Sequence, residues 1–294
     1  MDTTNLKYLR LTENLVGFYD GRSPGQRFAP GPNWVDDGAI SLGICSYALI
    51  DGKDALVYDT HVSVPHARRI RRLLEGLGAR NIAVVLSHSH LDHIAGTEAF
   101  ADCEIIANQL TADRMAAHKT SIEAGTYDGP PTINPLVMPT TTFEGRCHIH
   151  CGGLHVDLVQ FDIHSADGTV VHLARENLLL AGDTLEDTVT YVAEAEGLAR
   201  HLAELDRMWG LGIDRIFPNH GDPVTIENGG YRKNFIRATQ QYIRMLARMK
   251  TDEALRTTPL REVIAGPLDA GWISYFEPYE AVHQRNIEQV CAVA

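Results

Sequence analysis

The sequence predicts an α+β fold: two β-sheets packed face to face with helices outside, in one domain over residues 1–294. Two observations carry this. Short apolar runs of strand length alternate with amphipathic helical stretches along most of the chain. Several of those runs end in a histidine or an aspartate close to a glycine, as expected of strands that turn tightly and deliver side chains to one sheet edge.

The elements follow in order. Residues 40–50 and 55–58 read as two strands joined by Asp51-Gly52-Lys53-Asp54, and Asp-Gly is a hairpin signal. Pro65 suits a first helical turn, and Ile70, Leu73, Leu74 and Leu77 mark one apolar helix face. A strand over 82–86 leads into a histidine-rich loop. A short helix over 95–100, a strand over 104–107 and a helix over 110–118 come next. Residues 125–142, with three glycine or proline positions in 129–131 alone, form an irregular loop long enough to border a site. Strands over 147–151 and 154–161 flank a Gly152-Gly153 turn. Strands over 170–173, 178–181 and 213–217 and helices over 198–209, 231–249 and 279–290 complete the chain. The helices from about 228 onward are expected to cap the site.

Composition narrows the function. The 44% hydrophobic and 22% charged fractions are those of a globular protein with ample core. The net charge is −12, and the densest basic run, Arg68-Arg69-Ile70-Arg71-Arg72, lies in a helical pattern and reads as a solvated face, so nucleic acid is not an expected partner. The first five residues are polar, no apolar signal core follows, and no run of about 18 apolar residues occurs, so a cytoplasmic protein without a membrane partner is expected. Five cysteines, an odd number in a long chain, do not suggest a disulfide framework.

The run Ser87-His88-Ser89-His90-Leu91-Asp92-His93 places three imidazoles and one carboxylate just past an apolar strand. Imidazole with carboxylate suits zinc, and less exclusively iron or manganese. His164, Asp183 and His220 likewise lie just beyond apolar strands, so four strand ends can converge on one edge. The run Cys147-His148-Ile149-His150-Cys151 looks like a soft metal site, but strand alternation points its cysteines one way and its histidines the other, and strand residues are expected there. His61, His66 and His118 are expected at the surface or behind the site. Asp59 is open between orienting a ligand histidine and being an ordinary strand-end carboxylate.

At these residues the sequence resembles the metallo-β-lactamase superfamily. His88, His90, Asp92 and His93 meet the H-x-H-x-D-H signature in full. His164, Asp183 and His220 match the later ligands, at separations of 71 (93 to 164), 19 (164 to 183) and 37 (183 to 220) residues. The resemblance covers roughly 40–222. It implies a four-layer αββα sandwich with a two-metal site at one edge, two Zn2+ by preference, with iron or manganese as the other options. His88, His90 and His164 would hold one metal, Asp92, His93 and His220 the other, and Asp183 would bridge them. A hydroxide shared by two metals about 3.5–4 Å apart would attack a carbonyl. Asp92 would orient that nucleophile or pass a proton to the leaving group.

The fold hosts many reactions, so departures from subgroup patterns guide the choice. The best-known zinc β-lactamases have a cysteine where this chain has Asp183. Quorum-quenching lactonases have a tyrosine at the position of Glu186. No basic cluster for glutathione is evident, which disfavours a thioesterase of glyoxalase II type. The RNA-processing branch is disfavoured by net charge and the flavodiiron branch by an intact His90. The expectation is a lactonase-like hydrolase of a small ester, lactone or amide. The alternatives are that thioesterase and a mononuclear iron dioxygenase acting on a thiol or persulfide; a non-catalytic scaffold is disfavoured because all seven ligands are kept. The partner is a small-molecule substrate, with a homodimer left open. Trp34, Tyr127, Tyr231 and Phe235 are candidate substrate contacts, with ordinary core or surface aromatics as the competing reading. Arg22 and Arg27 stand open between an anionic substrate and solvent.

Overall fold

The computed structural model describes residues 1–293. One sheet has seven strands in sequence order: β1 (Lys7–Arg10), β2 (Leu15–Asp20), β3 (Ile44–Asp51), β4 (Asp54–Tyr58), β5 (Asn81–Val85), β6 (Glu104–Asn108) and β7 (Thr141–Phe143). β1 to β4 are antiparallel neighbours, and β4 to β7 are parallel. The second sheet has the order β12-β11-β10-β9-β8, with β8 (Arg146–Cys151), β9 (Leu154–Gln160), β10 (Thr169–Leu173), β11 (Leu178–Gly182) and β12 (Arg215–Pro218). Only the β11/β12 pair in it is parallel, and the helix Leu198–Trp209 forms part of that crossover.

Strand alternation explains the layers. On β4, Leu56 and Tyr58 join the core between the sheets, while Ala55 and Val57 join the core beneath the helix Val64–Gly76. Val85 and Ile106 share the first core, and Val84 and Ile105 the second. A sheet covered on both faces needs apolar residues on both, so these strands read as continuous apolar runs. The helices Leu198–Trp209 and Asn234–Met249 cover the second sheet through Leu205, Met208, Ile243 and Leu246. The result is the αββα order. The helix Val64–Gly76 starts where Ser63 accepts from the His66 amide, has Pro65 in its first turn, and buries Ile70 and Leu74. Each of those side chains contributes about 1.5–3 kcal/mol by leaving water.

Several boundaries differ from expectation. β1 and β2 were not expected. Gly17 interrupts the apolar pattern of β2 because a Cβ there would lie 3.1 Å from Cys45 Sγ. Residues Val35–Ile40 form a π-helical turn, and the expected strand over 40–50 begins at Ile44. The helix expected from 231 begins at Asn234, because Tyr231 bridges to Ile216 beside β12. No helix among the described residues is long and apolar enough to cross a membrane.

Candidate metal centre

All seven expected ligands meet at one edge of the sandwich. The loop after β5 carries His88 and His90, and the turn Leu91–Ile94 carries Asp92 and His93. His164 lies between β9 and β10 at φ +68°, Asp183 follows β11, and His220 follows β12. Gly182 makes the turn before Asp183 possible: its φ is +57°, and a Cβ there would meet Tyr58 Oη at 2.8 Å.

The ligand atoms form two groups, each within 4.8 Å: His88, His90, His164 and Asp183, and then Asp92, His93 and His220. Asp183 Oδ2 lies between them, 3.1 Å from His93 Nε2, 3.5 Å from His220 Nε2, 3.6 Å from His88 Nε2 and 3.9 Å from His164 Nε2.

The opposite ring nitrogens are held from behind. His93 Nδ1 donates to Asp59 Oδ2 (2.8 Å), His164 Nδ1 to the Tyr191 carbonyl (2.8 Å) and His220 Nδ1 to the Gly43 carbonyl (2.7 Å). His88 Nδ1 meets Ser87 Oγ at 2.9 Å. These contacts fix the tautomers that leave Nε2 lone pairs facing inward. The centre is therefore crowded with acceptors: His220 Nε2 faces Asp92 Oδ2 at 3.1 Å, and His164 Nε2 faces His90 Nδ1 at 3.0 Å. His88 Nε2 and Asp183 Oδ1 are buried without any partner. A donor set of neutral imidazoles and carboxylates that lacks cations fits divalent metal ions.

Protonation tells the same story. Burial pulls His220 down, but Asp183 and Asp92 outweigh it and raise it to about 9; His93 is raised well above its usual value by Asp183, Asp92 and Asp59 against its burial. Burial and the neighbouring His90 take His164 down to about 3. Asp92, despite burial, is brought to about 2 by His93 and His220. Metal-free, the carboxylate-rich half thus takes up protons where cations fit.

The groups open onto a cavity of about 640 Å3. Trp34 and Tyr127 line it, and Trp34 Nε1 donates to the Pro131 carbonyl, so the 125–142 loop forms part of the wall. Tyr231 and Phe235 do not reach it, contrary to the expectation. They stack 4.3 Å apart in the core, and Tyr231 Oη donates to Asp187 Oδ2 and accepts from the Asp222 amide, both at 2.7 Å. The pairing of Tyr231 with Ile216 draws it beneath the site. Of the C-terminal helices, Tyr279–Ala292 reaches the cavity, through Val282 and Arg285. Arg22 stacks 4.2 Å over Phe276 and binds the Leu42 and Asp187 carbonyls, while Arg27 pairs with Asp36 and Asp37. His61 and His66 are buried and stacked, and His66 meets Asp20 Oδ2 at 3.0 Å; His118 is exposed.

Sequence reasoning missed several contributors. Asp59 is not among them: of its two open readings, the structure has it fully buried and bonded to His93 Nδ1. Asp167 accepts from the Ser89 amide, Thr111 and Arg114, which holds the loop between His88 and His90. Glu186 lines the cavity and accepts from the Tyr191 amide (2.8 Å) and Tyr279 Oη (3.3 Å); burial and Asp183 raise it to about 8. Arg285 is the single lysine or arginine among the described lining residues.

A family model described as the metallo-beta-lactamase superfamily matches residues 40–220. A linear primary-alkylsulfatase from a Pseudomonas species is 22% identical, over 82% of this chain and 54% of that protein. The chain thus spans about half the length of this curated relative. Among solved structures, a metallo-beta-lactamase from Pontibacter korlensis aligns with a TM-score of 0.56 at 16% identity, over 74% of this chain and 92% of that one. The DIM-1 metallo-beta-lactamase aligns with a TM-score of 0.55 at 17% identity, over 79% and 97%. At these identities the likeness is one of fold.

Proposed function

The chain belongs to the metallo-β-lactamase superfamily, and from that premise we propose that it hydrolyses a small ester, lactone or amide at a two-zinc centre. One observation carries the reading: a single Asp183 oxygen lies 3.1–3.9 Å from Nε2 of four histidines drawn from both ligand groups, beside a cavity with room for a small molecule. When bound, the zinc ions supply Lewis acidity toward a substrate carbonyl and a hydroxide nucleophile at neutral pH. His88, His90 and His164 would hold one ion, Asp92, His93 and His220 the other, with Asp183 shared.

The chain's own groups do the rest. Asp92 has its Oδ2 against His220 and an edge in the cavity. It takes up the proton released on attack and returns it to the leaving atom. Trp34, Tyr127 and Val282 offer an apolar wall to the acyl or alkyl part. The completeness of the second group, Asp92, His93 and His220, favours two metals over the mononuclear iron alternative. No basic cluster marks a glutathione site, so a thioesterase is the less favoured hydrolase.

Sulfate-ester hydrolysis is a second reading, favoured by the alkylsulfatase relative and by Arg285 on the cavity wall. Purified protein reconstituted with zinc is assayed on a panel of activated esters, lactones, thioesters, β-lactams and alkyl sulfates. Chelator-sensitive turnover of the carbonyl substrates is expected. Turnover confined to alkyl sulfates would replace the first reading with the second. One iron per chain with oxygen uptake would overturn both.

A further inference from the structure

We propose that the exposed face of the β8–β9 hairpin is a second divalent-metal site, for copper(II), nickel(II) or zinc, anchored by His150 and His155. Nothing in the hydrolytic centre bears on it.

The register builds the site. His150 on β8 is the partner of His155 on β9, and His148 is the partner of Asp157. The Gln160 amide donates to the Gly145 carbonyl at 2.8 Å, which makes 145/160 a hydrogen-bonded pair. Antiparallel pairs alternate, so 148/157 and 150/155 are the non-hydrogen-bonded pairs, in which side chains approach most closely. The His150 and His155 rings lie 4.7 Å apart at 63°, and both residues are exposed. His148 Nδ1 bonds to Asp157 two pairs further along, about 6.6–6.8 Å down the strand. Four ligand-type side chains thus occupy two successive rungs on one face of the hairpin, with the 149/156 rung between them facing the other way.

A third strand extends the row. His172 on β10 is in register with Asp157. Its Nε2 donates to the Gly212 carbonyl at 3.2 Å, so Nδ1 carries a lone pair, and that nitrogen is buried without a partner. The cysteines of the same hairpin are excluded. Cys147 and Cys151 share the opposite face with Ile149, against the core. Imidazole with carboxylate, without thiolate, selects copper(II), nickel(II) and zinc over softer ions. Arg146 also pairs with Asp157, so the anchor is the histidine pair, which leaves that ion pair intact. A rotation of His148 away from Asp157 adds the third nitrogen. β8 is the edge of its sheet, so solvent reaches the ion.

The test uses full-length protein loaded with zinc and freed of excess, then titrated with copper(II) alone. Calorimetry follows uptake, electron paramagnetic resonance reads the ligands, and a chromophoric indicator measures released zinc. One extra equivalent is expected, with nitrogen ligation and without zinc release. The His150→Ala/His155→Ala variant should lose that equivalent while keeping its melting temperature and hydrolytic turnover. Equal uptake by the variant, no uptake by the unsubstituted protein, or uptake matched by zinc release would each overturn the proposal.

Discussion

Asp59→Asn removes one charge from behind the metal centre and keeps the side chain's shape. Asp59 is fully buried and accepts four hydrogen bonds: Oδ1 from the Ser87 amide (2.7 Å), and Oδ2 from Ser87 Oγ (2.6 Å), His93 Nδ1 (2.8 Å) and Asn219 Nδ2. Asparagine offers one acceptor oxygen. If that oxygen takes the Oδ2 position, its NH2 confronts the Ser87 N–H; if it turns over, the NH2 confronts His93 and Asn219. A buried donor without a partner costs about 1–3 kcal/mol, and a lost bond to a charged group about 1.5–3 kcal/mol. The sum, about 2.5–6 kcal/mol, divides between fold and metal. An outer partner of a ligating histidine typically accounts for about 10–100-fold in metal affinity, or about 1.4–2.7 kcal/mol. The variant should therefore bind zinc about 10–100-fold more weakly in chelator competition, and its metal-free form should melt several degrees lower. Zinc affinity within about twofold of the unsubstituted protein and an unchanged melt would refute the reasoning and make Asp59 an ordinary strand-end carboxylate.

Asp183→Ala should reduce metal content and turnover together, measured by elemental analysis beside the panel assay, because the removed oxygen faces both ligand groups. Arg285→Ala should raise KM for anionic substrates about tenfold, the scale of one charge-assisted bond, and leave neutral substrates and kcat alone. Tyr231→Phe should lower stability by about 1–3 kcal/mol in denaturant titrations, through the bonds lost to Asp187 and Asp222, with KM unchanged for every substrate. Metal-free protein should lose stability as pH rises from about 6.5 toward about 9. His220 is raised in the folded state from 6.5 to about 9, and His93 is raised too. Their contribution is complete below the unfolded value and is lost through the folded one. Melts across that range check the sign, and zinc should abolish the trend by taking the protons' place.

The metal centre was legible because its chemistry is local. His88, His90, Asp92 and His93 sit within six residues, and His164, Asp183 and His220 each follow an apolar strand, so strand ends alone predict their convergence. The αββα order was legible for a similar reason: strands apolar on both faces need cover on both. The rest depends on contacts between distant segments. Nothing local in Asp59 shows that Ser87, His93 and Asn219 will all donate to it. Tyr231 looks like a pocket aromatic until its pairing with Ile216 turns it into the core. β2 hides because Gly17 breaks its pattern for the sake of Cys45 on the neighbouring strand.

The same remoteness bears on how the site works. The groups that aim the rings come from elsewhere in the fold: Asp59 follows β4, the Tyr191 carbonyl lies beyond β11, and the Gly43 carbonyl precedes β3. Gly43 must approach closely, at φ +78°, and a Cβ there would fall 2.0 Å from Tyr19 Oη. His220 is therefore aimed only when the first sheet, the second sheet and the turn before β3 are all in place. A ring aimed by assembly binds metal only after assembly, and metal that binds the assembled state alone stabilises it in return. The acceptor crowding at Asp183 follows from the same arrangement. Without cations, the fold holds lone pairs and carboxylates 3.0–3.9 Å apart, and protons on His93 and His220 partly offset the repulsion. Metal loading, protonation and folding are thus three expressions of one charge balance at this sheet edge.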